Sequence, residues 1–144
     1  IWAAIGRNYK SKLIFVDKSV NEQRYKRLLI DSKILSELNK KEKRFSFLFQ
    51  QDGATCHWTS LVMKYIYRYA RVLNGWPPNS PDILPIENLW AIMKERLNRL
   101  TTKPKSKSEL KQLIQQVYDG IDLETINNLI NTFEYRIQMV KDFG

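Results

Sequence analysis

The chain has 144 residues, 43% of them hydrophobic and 12% aromatic, which is enough for one packed domain and argues against disorder along its whole length. A formal charge of +9 favours a polyanionic partner, nucleic acid first, although a merely lysine-rich soluble protein has the same composition. Cys56 is the only cysteine, so no intramolecular disulfide forms and a reducing compartment is expected; no apolar run reaches the ~18 residues of a membrane span.

The chain opens on Ile1 inside an apolar run and shows no signal peptide. It reads as a fragment, so missing N-terminal signals weigh little. The expected location is the nucleus in a eukaryote and the cytoplasm otherwise, without secretion.

Ile1 to Ile5 and Leu13 to Val16 predict two paired strands around a Gly6-Arg7-Asn8 turn. From Asn21, an N-cap type, Tyr25, Leu28, Leu29, Leu35 and Leu38 recur at mostly helical spacing, predicting a helix and then a basic loop ending at Arg44. Phe45 to Phe49 is short, aromatic and nearly continuous, as in a strand buried on both faces, and delivers Gln50, Gln51 and Asp52 at its end. Thr59 or Ser60 can cap a helix to about Tyr69, and Arg71 to Leu73 predicts another strand. Residues 75–82 form a proline-rich loop.

Beyond Pro85, Ile86, Leu89, Trp90, Met93, Leu97 and Leu100 mark one face of a long helix with Glu87 in its first turn. A basic linker, Lys103 to Lys107, leads to two more helices. The first has Ser106 and Glu109 at capping-box spacing and Gly120 as a stop, and the second starts at Asp122 with an apolar stripe from Ile126 to Val140. No internal repeat is visible. Strands alternating with helices predict an α/β fold with residues 1–100 as its core and 101–144 as a C-terminal helical extension of the same domain.

Two segments carry chemistry: QQDGATCH at 50–57 and WPPNSPDILPIENLW at 76–90. Both resemble the catalytic signatures of the mariner-like DNA transposase superfamily. Thirty-four residues, 53 to 86, lie between Asp52 and Glu87, the separation of the second and third carboxylates in the branch whose metal triad is Asp, Asp, Glu. IWAAI, KLIFV and INTFEYRIQMVKDFG are similar, more weakly, to flanking segments of the family.

The resemblance implies a ribonuclease H-like mixed sheet flanked by helices and lacking its first strand. It also implies Asp52 and Glu87 as catalytic metal ligands, two Mg²⁺ or Mn²⁺ ions in the complete site, and double-stranded DNA at transposon ends and targets as substrate. The full-length protein is open to homodimerisation. Phosphodiester cleavage and strand transfer need an activated nucleophile and a stabilised leaving oxyanion, which two ions ~3.5–4 Å apart supply, held by carboxylate oxygens.

Each residue also has an ordinary reading. Asp52-Gly53 is a turn signal, and an acid in a first helical turn gains ~0.3–1 kcal/mol from the helix dipole without a metal. His57, the only histidine, either lines the site or is a hydrogen-bonded structural residue. Asp82 is a weaker site-lining candidate than a loop brace, and Lys94 shares the Glu87 face and is either a DNA contact or a solvated lysine. Cys56 reads as structural, and Trp76 and Trp90 read as core.

Two positions depart from the family pattern: Gly53 and Leu84 stand where asparagine is usual. The family's first Asp would precede Ile1, and Asp17 and Asp31 sit where the pattern uses no carboxylate. The isolated chain is therefore expected to be inactive in an enzyme that, at full length, cleaves and joins DNA. A second reading is an inactive or domesticated relic that only binds DNA; a third, a retroviral-type integrase, is disfavoured by IENLW.

Overall fold

The computed structural model describes residues 1–41, 47–73, 84–101 and 103–143, without the side chains of 41, 134 and 136–143. The chain divides into two compact units, Ile1–Phe15 with Pro81–Gly144, and Val16–Ser80.

In the first unit β1 (Ile5–Gly6) and β2 (Tyr9–Lys10) pair antiparallel, and a bridge between Trp2 and Ile14 extends the hairpin. Arg7-Asn8 forms the turn, with Asn8 at φ 55, a left-handed conformation that a short polar side chain tolerates. The Asn8 amide donates to Asn127 Oδ1 at 2.8 Å and Asn127 Nδ2 donates to Asn8 Oδ1 at 2.7 Å, so the turn is held by a residue 119 positions away. The Trp2–Ile14 bridge joins the two runs predicted from sequence, but the regular pairing lies nearer the turn: the second strand is Tyr9–Lys10, not Leu13 to Val16.

Three helices complete this unit: α4 (Pro85–Asn98), α5 (Lys107–Asp119) and α6 (Leu123–Phe143). Their core is Leu89, Met93, Tyr118, Ile121 and Ile126 together with Ala3 and Leu13 of the hairpin arms, and Trp90, Ile114, Leu129 and Ile130 pack against it. Part of each predicted stripe thus faces one cluster, through Leu89 and Met93 of α4, Ile114 and Val117 of α5 and Ile126, Leu129 and Ile130 of α6, whereas Leu100 and Leu110 are exposed.

The caps are mostly as expected. Ser106 Oγ accepts from the Glu109 amide at 3.1 Å, and Asp122 Oδ1 accepts from the Thr125 amide at 2.7 Å. The reciprocal arm of the capping box reaches one residue further back, from Lys105 N to Glu109 Oε2 at 2.6 Å. Gly120 ends α5 at φ −74, so its left-handed freedom is not used. Lys10 reinforces the C-terminal end of α5: its ammonium donates to the carbonyls of Tyr118 at 2.9 Å and, just beyond the helix, Ile121 at 2.5 Å.

In the second unit Asn21 caps the helix α1 (Glu22–Asp31), its Oδ1 accepting from the Arg24 amide at 3.0 Å. The single helix expected here is two, because Lys33 turns left-handed at φ 56 and Ser32 Oγ donates to the Leu29 carbonyl; α2 then runs Ile34–Lys41. The strand pair is parallel, β3 (Leu48–Phe49) beside β4 (Arg71–Val72), with α3 (Ser60–Ile66) between them in sequence. Leu48 is 53% exposed, so the expectation of a strand buried on both faces fails at its described end; 42–46 lie outside the described residues. Tyr25, Leu29, Leu35, Val62 and Ile66 are buried in this unit.

Candidate metal centre

Asp52 follows β3 through Gln50 and Gln51, and the chain turns sharply after it. Asp52 Oδ1 accepts from the Ala54 amide at 3.0 Å, an Asx turn, and a 3₁₀ turn at Thr55–His57 carries the chain back. The return brings His57 Nδ1 to 2.7 Å from the same Oδ1, and Trp58 Nε1 donates to the Asp52 backbone carbonyl at 2.7 Å. The family's asparagine would fit at 53, since a Cβ there meets nothing within 4 Å.

Beneath the turn lies a buried amide. Gln51 is 6% exposed; its Nε2 donates to the His57 carbonyl at 2.9 Å and its Oε1 accepts from the Tyr25 hydroxyl at 3.1 Å. The Tyr25 ring stacks on the His57 imidazole, centroids 3.8 Å apart at 28°. Tyr25 and Gln51 are residues the sequence reading did not single out for the site. Tyr25 belongs to an apolar helix stripe, and Gln51 was only the neighbour of an acid.

The Asp52 carboxyl is held below the usual carboxylate range. The close Nδ1 of His57 is the largest cause, its distance counting although the ring N–H is not aimed along the line; burial opposes the shift and the Ala54 amide adds to it. An ionised, half-exposed carboxylate suits a hard divalent cation. Both side-chain contacts fall on Oδ1, which leaves Oδ2 available, so Asp52 fits the role of a ligand on its own geometry.

Glu87 stands in the first turn of α4, partly buried, and Lys94 is exposed two turns later on the same helix. The residue before Pro85, Leu84, is the N-cap and makes no side-chain cap bond, the loss expected from its departure from asparagine. Asn88 Nδ2 donates to the Leu84 carbonyl instead, at 3.0 Å. Asp52 and His57 belong to the unit Val16–Ser80, while Glu87 and Lys94 belong to the other. Asp82 and Trp76 lie outside the described residues. Cys56 is a free, partly buried thiol. Among the described residues, no three His, Cys, Asp or Glu side chains cluster as a metal site, and no helix is long and apolar enough to cross a membrane.

No family model matches the chain. The Tc3 transposase of Caenorhabditis elegans is 30% identical over a 145-residue alignment covering all of this chain and 44% of that protein. The Tc1 transposase of the same organism is 32% identical over 96 residues, 67% of this chain and 34% of that protein. The chain therefore spans less than half the length of the curated relatives it matches. The Mos1 transposase catalytic domain, solved with raltegravir and Mg, superposes with a TM-score of 0.71 at 22% identity over 83% of this chain and 61% of that one. A Mos1 paired-end complex with left transposon end gives 0.67 at 24%, over 83% and 34%. The superpositions give the fold, ribonuclease H-like with helices around small sheets. With the kinship to the worm transposases, the chain belongs to the Tc1/mariner transposases and is part of their catalytic domain.

Proposed function

We propose that the protein carrying this chain cleaves transposon-end DNA and joins it to target DNA, with Asp52 and Glu87 as carboxylate ligands of divalent metal. The observation that carries the reading is the Asp52 carboxyl, kept ionised at the end of β3 within the QQD signature and followed by Glu87 after the family's thirty-four residues. When bound, a pair of Mg²⁺ ions would supply an activated nucleophilic oxygen and stabilise the leaving one. Asp52 would offer Oδ2 to the metal while His57 and the Ala54 amide fix Oδ1. Glu87 would add a second carboxylate from the first turn of α4. His57 and Asp82 are proposed to line the site and Lys94 to meet a phosphate.

The partner is double-stranded DNA, attracted by the +9 charge mainly through phosphate contacts. By analogy with the Mos1 paired-end complex, the working form is a dimer on two ends. The site of action is the nucleus, as befits relatives from a nematode. Cleavage of labelled transposon ends with Mg²⁺ tests the reading. Asp52→Asn and Glu87→Gln should each abolish cleavage while salt-sensitive DNA binding stays within about twofold of the parent; cleavage that survives either substitution contradicts the assignment.

Gly53 and the uncapped Leu84 suit either a divergent active enzyme or a second reading, a relic that keeps the fold and binds DNA without cutting it. DNA binding by the parent protein with no cleavage under Mg²⁺ or Mn²⁺ would select it.

A further inference from the structure

The site's chemistry uses Asp52, yet the most constrained polar groups nearby are those that never face solvent. Gln51 is a buried amide whose partners dictate which way it points: the His57 carbonyl can only accept, so Nε2 faces it, and Oε1 is left to take the Tyr25 hydroxyl proton. Nε2 also lies 3.5 Å from Met63 Sδ, which ties the amide to α3. The Tyr25 ring, on α1, lies flat against the imidazole of His57. His57 is thus held at its backbone by Gln51 and at its ring by Tyr25, and that ring puts Nδ1 against Asp52 Oδ1 at 2.7 Å. A carbonyl, an amide, a phenol and two stacked rings form a closed circuit spanning α1, the end of β3 and the 3₁₀ turn.

An apolar core would fill this space more simply, since a buried polar group that loses its partner is costly. The circuit's one outlet toward solvent is Asp52, whose side chain is 48% exposed while that of His57 is 15% exposed. We infer that Tyr25 and Gln51 are positioning residues. Acting through His57, they lock the Asp52 carboxylate with Oδ1 occupied and Oδ2 as the oxygen offered to a divalent cation. Groups one step removed from the ligands of a metal characteristically tune its affinity by 10–100-fold. Tyr25→Phe tests the circuit without emptying it, because the stacked ring stays and only the hydroxyl is lost. His57→Asn keeps a donor near the place of Nδ1, whereas His57→Ala removes it.

The inference rests on the metal-ligand reading of Asp52, and the experiment separates the two. Mn²⁺ is titrated into the chain and followed by electron paramagnetic resonance, beside imidazole nitrogen–proton NMR. His57 is the only histidine, so its ring signals need no assignment by mutation. The expected result is a change in the His57 ring signals of Tyr25→Phe relative to the parent, together with about a 10-fold loss of Mn²⁺ affinity. His57→Ala should bind Mn²⁺ more weakly than His57→Asn, with circular dichroism and DNA binding unchanged in all three. Loss of Mn²⁺ in Asp52→Asn but parental affinity and parental ring signals in Tyr25→Phe would overturn the positioning role and leave the ligand role standing. Parental Mn²⁺ affinity in Asp52→Asn would overturn both.

Discussion

The two units spend their buried volume differently. The unit built from the hairpin and α4 to α6 buries Leu89, Met93, Tyr118, Ile121 and Ile126 in one apolar cluster, and most of its polar contacts close helix ends or hold the turn. The unit 16–80 also has an apolar interior, but sets Gln51 within it and ties that amide to Tyr25 and His57. Where burial serves stability alone, apolar periodicity suffices and the polar atoms stay at element ends. Where a carboxylate is to be aimed, buried polar groups are kept, and each that loses its partner is costly.

The contrast breaks most visibly at Tyr118, 1% exposed with its hydroxyl donating to the Ser11 carbonyl at 2.7 Å. Tyr118→Ala should cost about 3–5 kcal/mol in denaturant titrations, the range for a large buried ring. Burial first of all pushes the Tyr118 phenol up to about 12, against the pull of its hydrogen bond to Ser11. Because the folded state favours the neutral phenol, its contribution is complete below pH ~10, the unfolded value, and is lost as pH rises through about 12. Alkaline unfolding that starts later in Tyr118→Phe than in the parent is the expected sign.

A smaller effect is expected at Gln51. Gln51→Leu keeps an apolar volume but strands the Tyr25 hydroxyl and the His57 carbonyl, costing about 1–3 kcal/mol. A neutral result would mean that the circuit is not a constraint and that the two units are alike.

Two effects oppose each other at Leu84. Leu84→Asn returns the missing side-chain acceptor to the start of α4, worth ~0.5–2 kcal/mol, but removes a leucine that is 6% exposed. A small net loss in urea unfolding is expected; a gain would mean that the cap outweighs the burial.

The same contrast explains what could be read from the sequence. The hairpin, α4, α5 and α6 were legible because their apolar residues repeat at the period of the element and their caps, Ser106 and Asp122, lie next to the stripes they begin. The break between α1 and α2 was not. Leu28, Leu29, Leu35 and Leu38 keep nearly helical spacing across it, while the residue that turns is a lysine at φ 56, a conformation no propensity flags. Of the residues proposed for the site, Asp52, His57 and Glu87 were named from motif and spacing, and the structure sets His57 against Asp52. Tyr25 was not, since its bond to Gln51 joins residues 26 apart and nothing in a helix stripe says that one aromatic uses its hydroxyl. The reinforcement of the α5 end by Lys10 was hidden for the same reason, the partners being 108 and 111 residues away.

The central claim is the proposal that Asp52 and Glu87 are both ligands of divalent metal, and the most direct measurement lets the ion report its own neighbours. Fe²⁺ loaded in place of Mg²⁺, with ascorbate and peroxide, cuts peptide backbone close to where the ion is held, and mass spectrometry reads the ends. The account expects cuts at two places far apart in sequence, near Asp52 and near Glu87, both lost with excess Mg²⁺ and both lost in Asp52→Asn. Cuts near Glu87 that persist in Asp52→Asn, or cuts confined to other segments, would contradict it.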